Sequence, residues 1–121
     1  MARAHHNLAA WQQAIALVKA VYTLSEQFPP KEAYGLTSQM RRAAVSVPAN
    51  IAEGIGRSGT KDRVHFLAIA RGSLNELDTY TVLVRELGYV SNTIELENAI
   101  NREFALLNGL MNAERRKGAA R

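Results

Sequence analysis

Apolar residues recur every three or four positions in four separate stretches of this chain, the period of a helix that buries one face. In the first stretch Leu8, Trp11, Ile15, Val18 and Tyr22 form one stripe, and Ala10, Ala14, Leu17, Val21, Leu24 and Phe28 form a second beside it. The pattern predicts a helix over 7–28, ended by Pro29-Pro30 because a residue before proline is pushed out of the α region. A second helix is predicted over 36–56 from Leu36, Met40, Ala44, Val47, Ile51 and Ile55. Pro48 lies in its middle and removes one backbone hydrogen bond at a cost of about 3 kcal/mol, so this helix is expected to be kinked or split there. A third helix over 61–87 carries Val64, Leu67, Leu74, Leu77, Thr81 and Val84, with Gly88 as a left-handed C-cap. The fourth is predicted over 92–116, opening on Asn92 and Glu95 at capping-box spacing. A basic tail, 115–121, overlaps its end.

Rods of this length run roughly 30–40 Å, and short connections pack them side by side in alternating directions. The reading is an all-α single domain over 1–121, an antiparallel up-down-up-down four-helix bundle with helix two kinked at Pro48. No strand-like alternation or internal repeat competes with it. The second stripe of helix one has two readings. It faces neighbouring helices in the same bundle, or Leu17, Val21, Leu24 and Phe28 form an interface between copies.

At 121 residues and 47% hydrophobic, the chain is long and apolar enough for one packed core. It has no cysteine, which removes disulfides, thiolate catalysis and cysteine zinc sites and suits a reducing compartment. No apolar run reaches the roughly 18 residues of a membrane span, so a cytoplasmic protein that does not enter membranes is expected. The net charge of +4 is uneven. Residues 36–72 hold six basic side chains against two acidic ones, 73–110 hold two against six, and 111–121 hold four against one. Arg41, Arg42, Arg57, Lys61, Arg63 and Arg71 are therefore the candidates for phosphate contacts, which bind RNA or DNA without reading its sequence. The alternative for the same residues is a solvated face that maintains solubility.

Catalytic and cofactor chemistry finds no support. Gly54-Ile-Gly56-Arg-Ser-Gly59 spells a dinucleotide-binding pattern, but that chemistry needs a strand before the glycines and a helix after them. Here a helix precedes them, so a glycine helix end and turn is the reading. His65 has no second and third ligand at metal spacing, and Glu76 with Asp78, or Glu95 with Glu97, diverge on a helix. No enzyme, cofactor or metal is therefore expected. Asn50 and Glu53 lie three apart just after Pro48 and, with Ser73, are read as a polar clamp between helices two and three, which Arg71 or Asn75 could also join.

The run from Tyr34 through Gly-Leu-Thr-Ser-Gln-Met-Arg-Arg-Ala-Ala-Val-Ser-Val-Pro-Ala-Asn-Ile-Ala-Glu to Gly54 resembles the signature of the bacterial four-helix-bundle proteins encoded in intervening sequences of large-subunit ribosomal RNA genes. Phe66 to Leu77, Leu87-Gly-Tyr89 and the Trp11 helix ending in Phe28-Pro29 extend the resemblance over nearly the whole chain. It implies a four-helix bundle assembled as a homopentamer. A related branch, the accessory variability proteins of diversity-generating retroelements, implies a basic pentamer that binds nucleic acid and a protein partner. No catalytic residue carries over. The expectation is a non-enzymatic self-associating protein that binds nucleic acid through a basic surface, with a protein-interaction scaffold as the alternative.

Overall fold

The computed structural model describes residues 2–120. Four helices account for most of them: α1 Ala9–Ser25, α2 Leu36–Ile55, α3 Thr60–Glu86 and α4 Ile94–Ala119, with 3-10 turns at Ala4–Asn7 and Pro30–Glu32. Each helix packs on its neighbour in sequence, and α4 closes back on α1. Cross-contacts give the directions. Along α3, Arg63, Arg71 and Arg85 meet Glu114, Asn108 and Glu97 of α4, so the one chain ascends as the other descends. Ser46 with Ser73, and Gly54 with Arg63 and Phe66, relate α2 and α3 in the same antiparallel way. The up-down-up-down bundle follows.

The core is built from one stripe of each helix, with Leu17, Met40, Ile51, Leu67, Leu74, Leu77, Ile100, Leu107 and Met111 fully buried. Each such side chain contributes about 1.5–3 kcal/mol of hydrophobic stabilisation. On α1 the inward stripe is Ala10, Ala14, Leu17 and Val21, continued by Phe28 after the helix ends. This corrects the interface reading of those residues. Leu17, Val21 and Phe28 are buried inside the subunit, where α1 packs against both α2 and α4. Leu24 is partly buried, and the large apolar residues α1 shows to solvent are Ile15 and Tyr22 of the other stripe.

The predicted ends shift by a few residues. α1 stops at Ser25, and Glu26 to Phe28 form a turn held by Phe28 N–H to the Ser25 carbonyl at 3.1 Å. α2 runs unbroken across Pro48, which is buried, so the helix is not split there. Gly88 has a φ of +76°, and its N–H and that of Tyr89 return to the carbonyls of Arg85 and Val84. That pair of bonds is a Schellman cap, and its left-handed backbone favours a residue without a Cβ. At the start of α4 the Asn92–Glu95 box is not made: Asn92 Oδ1 accepts from Ile94 N–H, and the Thr93 hydroxyl donates to Glu97 at 2.6 Å.

Candidate nucleic-acid interface

An up-down bundle places the start of α1, the end of α2, the start of α3 and the end of α4 at one end. Two contacts fix how closely they meet. A Cβ on Gly118 would stand 2.7 Å from Thr60 Cγ2, so glycine is what lets α4 lie against the first turn of α3. One turn earlier, Glu114 is nearly fully buried and bonds Arg63 at 3.2 Å, with Lys117 at 3.7 Å. The α2–α3 connection, residues 56–59, is tied down from below. Gly54 is buried, and a Cβ there would lie 3.0 Å from the Arg63 carbonyl oxygen and 3.1 Å from Phe66 Cβ. Gly54, the first glycine of the pattern, thus serves helix packing, and among the described residues no strand precedes it.

These contacts bring together cations that are far apart in sequence. Arg57, Lys61 and Arg63 share the end with Arg115, Arg116 and Lys117 of the tail. Arg57 pairs with Glu53 one turn back and lies over the Phe66 ring, 4.7 Å from its centroid. Arg63 and Lys117 are engaged by Glu114. Lys61, Arg115 and Arg116 are exposed and make no ion pair among the described residues. The opposite end carries Glu26, Glu32, Glu86, Glu95 and Glu97 against Lys31 and Arg85. There the Tyr89 hydroxyl donates to Glu32 at 2.7 Å, and the Leu36 N–H donates to the same carboxylate, holding its pKa below the usual range. The bundle is electrically polar along its axis.

The other three arginine candidates lie elsewhere. Arg41 stacks on Tyr22, 4.6 Å from the ring centroid, and its Nε donates to Ser25 Oγ at 2.8 Å. Arg71 donates to Asn108 Oδ1 across the α3–α4 seam. Arg42 is exposed on the outer side of α2, between a groove of ≈ 480 Å³ shared with Tyr22 and Val45 and one of ≈ 310 Å³ shared with Ser73, Glu76 and Tyr80. The structure therefore does not gather all six arginines and lysines into one patch. It keeps the loop cluster, adds the tail, and sets Arg41, Arg42 and Arg71 apart. The tail's place was derivable, since alternating helix directions put the ends of α2 and α4 together.

The polar clamp between α2 and α3 has a different membership from the one expected. Asn50 Nδ2 donates to both the carbonyl and the hydroxyl of Ser46, and Ser46 Oγ shares a 2.8 Å hydrogen bond with Ser73 Oγ. Glu53 is outside it, exposed and paired with Arg57; Arg71 is held by Asn108, and the Asn75 carbonyl accepts from Thr79. Ser46 was missed, although its place four residues before Asn50 is the signal for such a bond. His5, His6 and Trp11 stack on one another at the start of α1, with centroids 4.6–5.2 Å apart. Among the described residues no three His, Cys, Asp or Glu side chains group as metal ligands, and no helix is long and apolar enough to cross a membrane. A second overlooked feature is Glu103, fully buried on the core stripe of α4.

The same arrangement of helices is known from a crystal structure of a protein of unknown function from the S23 ribosomal protein family of Bacteroides thetaiotaomicron VPI-5482. The two share 18% sequence identity over 85% of this chain and 98% of the other, with a TM-score of 0.78, a likeness of fold. Curated protein sequences provide no match. The model of the 23S rRNA-intervening sequence proteins matches residues 6–109, from the His5–His6–Trp11 cluster to the last core turns of α4, and the chain belongs to that family.

Proposed function

We propose that the protein is a non-catalytic, self-associating helical bundle that holds nucleic acid at its basic end. The observation that carries this reading is the convergence of Lys61 with Arg115 and Arg116: three exposed cations from two segments, unengaged by any carboxylate among the described residues, beside a further three that are engaged. Counter-ion release from phosphates rewards such a cluster whatever the base sequence. A surface needed only for solubility has no reason to segregate its charge, whereas here six cations meet Glu53, Asp62 and Glu114 at one end and five carboxylates meet Lys31 and Arg85 at the other. The family's description refers to an insertion in 23S rRNA, which makes RNA the first ligand to try. Copies arranged side by side would present several basic ends at once and multiply weak contacts through effective concentration.

The experiment is fluorescence anisotropy with a generic single-stranded RNA and a duplex across a salt series. Binding should weaken linearly in log–log form, and Lys61→Ala/Arg115→Ala/Arg116→Ala should lower the slope by about one for each phosphate contact removed. The three side chains make no ion pair, so circular dichroism should be unchanged. No binding at low salt, or full binding by the triple variant, overturns the reading and leaves a protein-interaction scaffold in its place.

A further inference from the structure

Leu96, Ile100, Glu103, Leu107 and Met111 follow one another at helical spacing along α4, and all five are buried. The carboxylic acid in that apolar stripe has no exposed surface, and neither of its oxygens has a hydrogen-bond partner. Among the fully buried core residues of the other helices are Ala14 and Leu17 of α1, Ala44 and Val47 of α2, and Leu74 and Leu77 of α3. None of these can share a proton or a charge. The ionisable groups that flank the seams point away: Lys19 of α1, Arg42 of α2 and Asp78 of α3 are exposed, as is Arg102 of α4 itself, and Arg71 is held by Asn108. Glu114, the other carboxylate buried in the bundle, has Arg63 and Lys117. A carboxyl group with neither solvent exposure nor a protein partner holds its proton, because ionisation there has nothing to compensate it. Burial pushes the Glu103 pKa up to about 8.

The α1–α4 seam offers a place where the ionised form could be solvated. It opens into grooves of ≈ 360 and ≈ 450 Å³ that share Ala20, Glu95 and Leu96. Lys19 lines the first and Arg102 the second. Arg102 immediately precedes Glu103, and successive helical residues are offset by ~100°, so less than a third of a turn separates the buried position from the groove. The seam is lined by Ala16, Ala20 and Ala99, whose small side chains leave room for such a rotation.

We propose that the proton on Glu103 is the latch of the α1–α4 seam: protonated, the carboxyl keeps α4 seated in the core; ionised, it leaves with a turn of α4 into the groove. The direction of the pH effect follows from where the proton is held. An unfolded glutamate ionises near 4.5, whereas the folded one retains its proton to about 8. Between those values the folded state binds the extra proton, so the closed form is most favoured below the window and loses ground as pH rises through it. One proton changes the open-to-closed ratio by up to tenfold per pH unit.

Native-state amide exchange on the full chain, corrected for intrinsic rates, tests this between pH 5 and 9 in the wild type, Glu103→Gln and Glu103→Leu. The expected result is that opening of α4 and the facing amides of α1 grows up to tenfold per pH unit in the wild type and levels off above about 8. α2 and α3, which exchange only when the whole chain unfolds, should stay better protected than the seam at every pH, and both variants should be flat throughout. The leucine variant removes the polar group altogether and keeps the test alive where glutamine does not fold. A wild-type seam that ignores pH overturns the proposal, as does a pH response that survives in either folded variant. Seam amides that open only together with α2 and α3, at the same free energy, also overturn it, since that is global unfolding and not a latch.

Discussion

At the scale of single residues, two glycines show different physical demands, and the difference is measurable. Gly88 needs its backbone: at a φ of +76° it completes the cap of α3, and no atom would obstruct a Cβ there. Gly54 needs its space, because an added Cβ meets a backbone oxygen at 3.0 Å and the Phe66 Cβ at 3.1 Å where α2 and α3 cross. Gly88→Ala is expected to cost about 1–2 kcal/mol through the left-handed conformation alone. Gly54→Ala should cost about 1–3 kcal/mol, because neither neighbour is the end of a flexible side chain and the helices must part. Urea denaturation of both variants checks the assignment. The exposed Gly88 site should accept Asn with part of the loss recovered, while Gly54→Asn should be worse than Gly54→Ala. The reverse order would show that the two roles are exchanged.

At the scale of elements, the pair that ties α4 to α3 is the informative one. Glu114 is 2% exposed, and removing Arg63 leaves its charge with only Lys117, at 3.7 Å, to answer it. Arg63 itself is partly exposed, and its Nε is buried without a partner, so the pair is imperfectly satisfied from both sides. Loss of one member of a well-buried pair costs about 3–5 kcal/mol, and the residual lysine should bring Arg63→Ala down to about 1–3 kcal/mol. Replacing both members by leucine should be neutral or stabilising, and a double-mutant cycle by denaturation measures the coupling. The same two helices show where sequence reading stops. The apolar spacing of α4 exposes Glu103 and Glu114 as carboxylates on a core stripe, so their burial was legible. That Glu114 meets a cation and Glu103 meets none depends on which residues of α3 lie opposite, which only tertiary packing decides. Helix one makes the converse case. Both of its stripes are apolar, and only the positions of α2 and α4 select Ala10, Ala14, Leu17 and Val21 as the inner one. Arg57 was legible too, since Glu53 four residues earlier already offers it an ion pair.

At the scale of the whole molecule, the apolar residues left outside the core give the self-association reading a surface. α2 shows Val45 to solvent at 43%, and α3 shows Ile69 and Leu83 at 39% and 41%. On the opposite side the α1–α4 seam is grooved. Exposed apolar side chains on α2 and α3 and grooves at the α1–α4 seam suit a heterologous contact, in which one surface of each copy meets a different surface of the next, and such contacts close into a ring when the rotation allows. Carboxylates at the exposed apolar positions should block that contact without touching the fold, since exposed substitutions away from special sites shift stability by only about 0.5 kcal/mol. The wild type is therefore expected to scatter light as a multimer at micromolar concentration, with five copies the mass implied by the family resemblance. Val45→Glu/Leu83→Glu should scatter as a single chain with an unchanged helical circular dichroism spectrum. The same variant should bind RNA more weakly, because Lys61, Arg115 and Arg116 are intact but no longer repeated around an assembly. A wild-type monomer removes both self-association and avidity. A double variant that stays multimeric moves the interface to another face, and one that is monomeric with unchanged RNA affinity shows that a single basic end suffices.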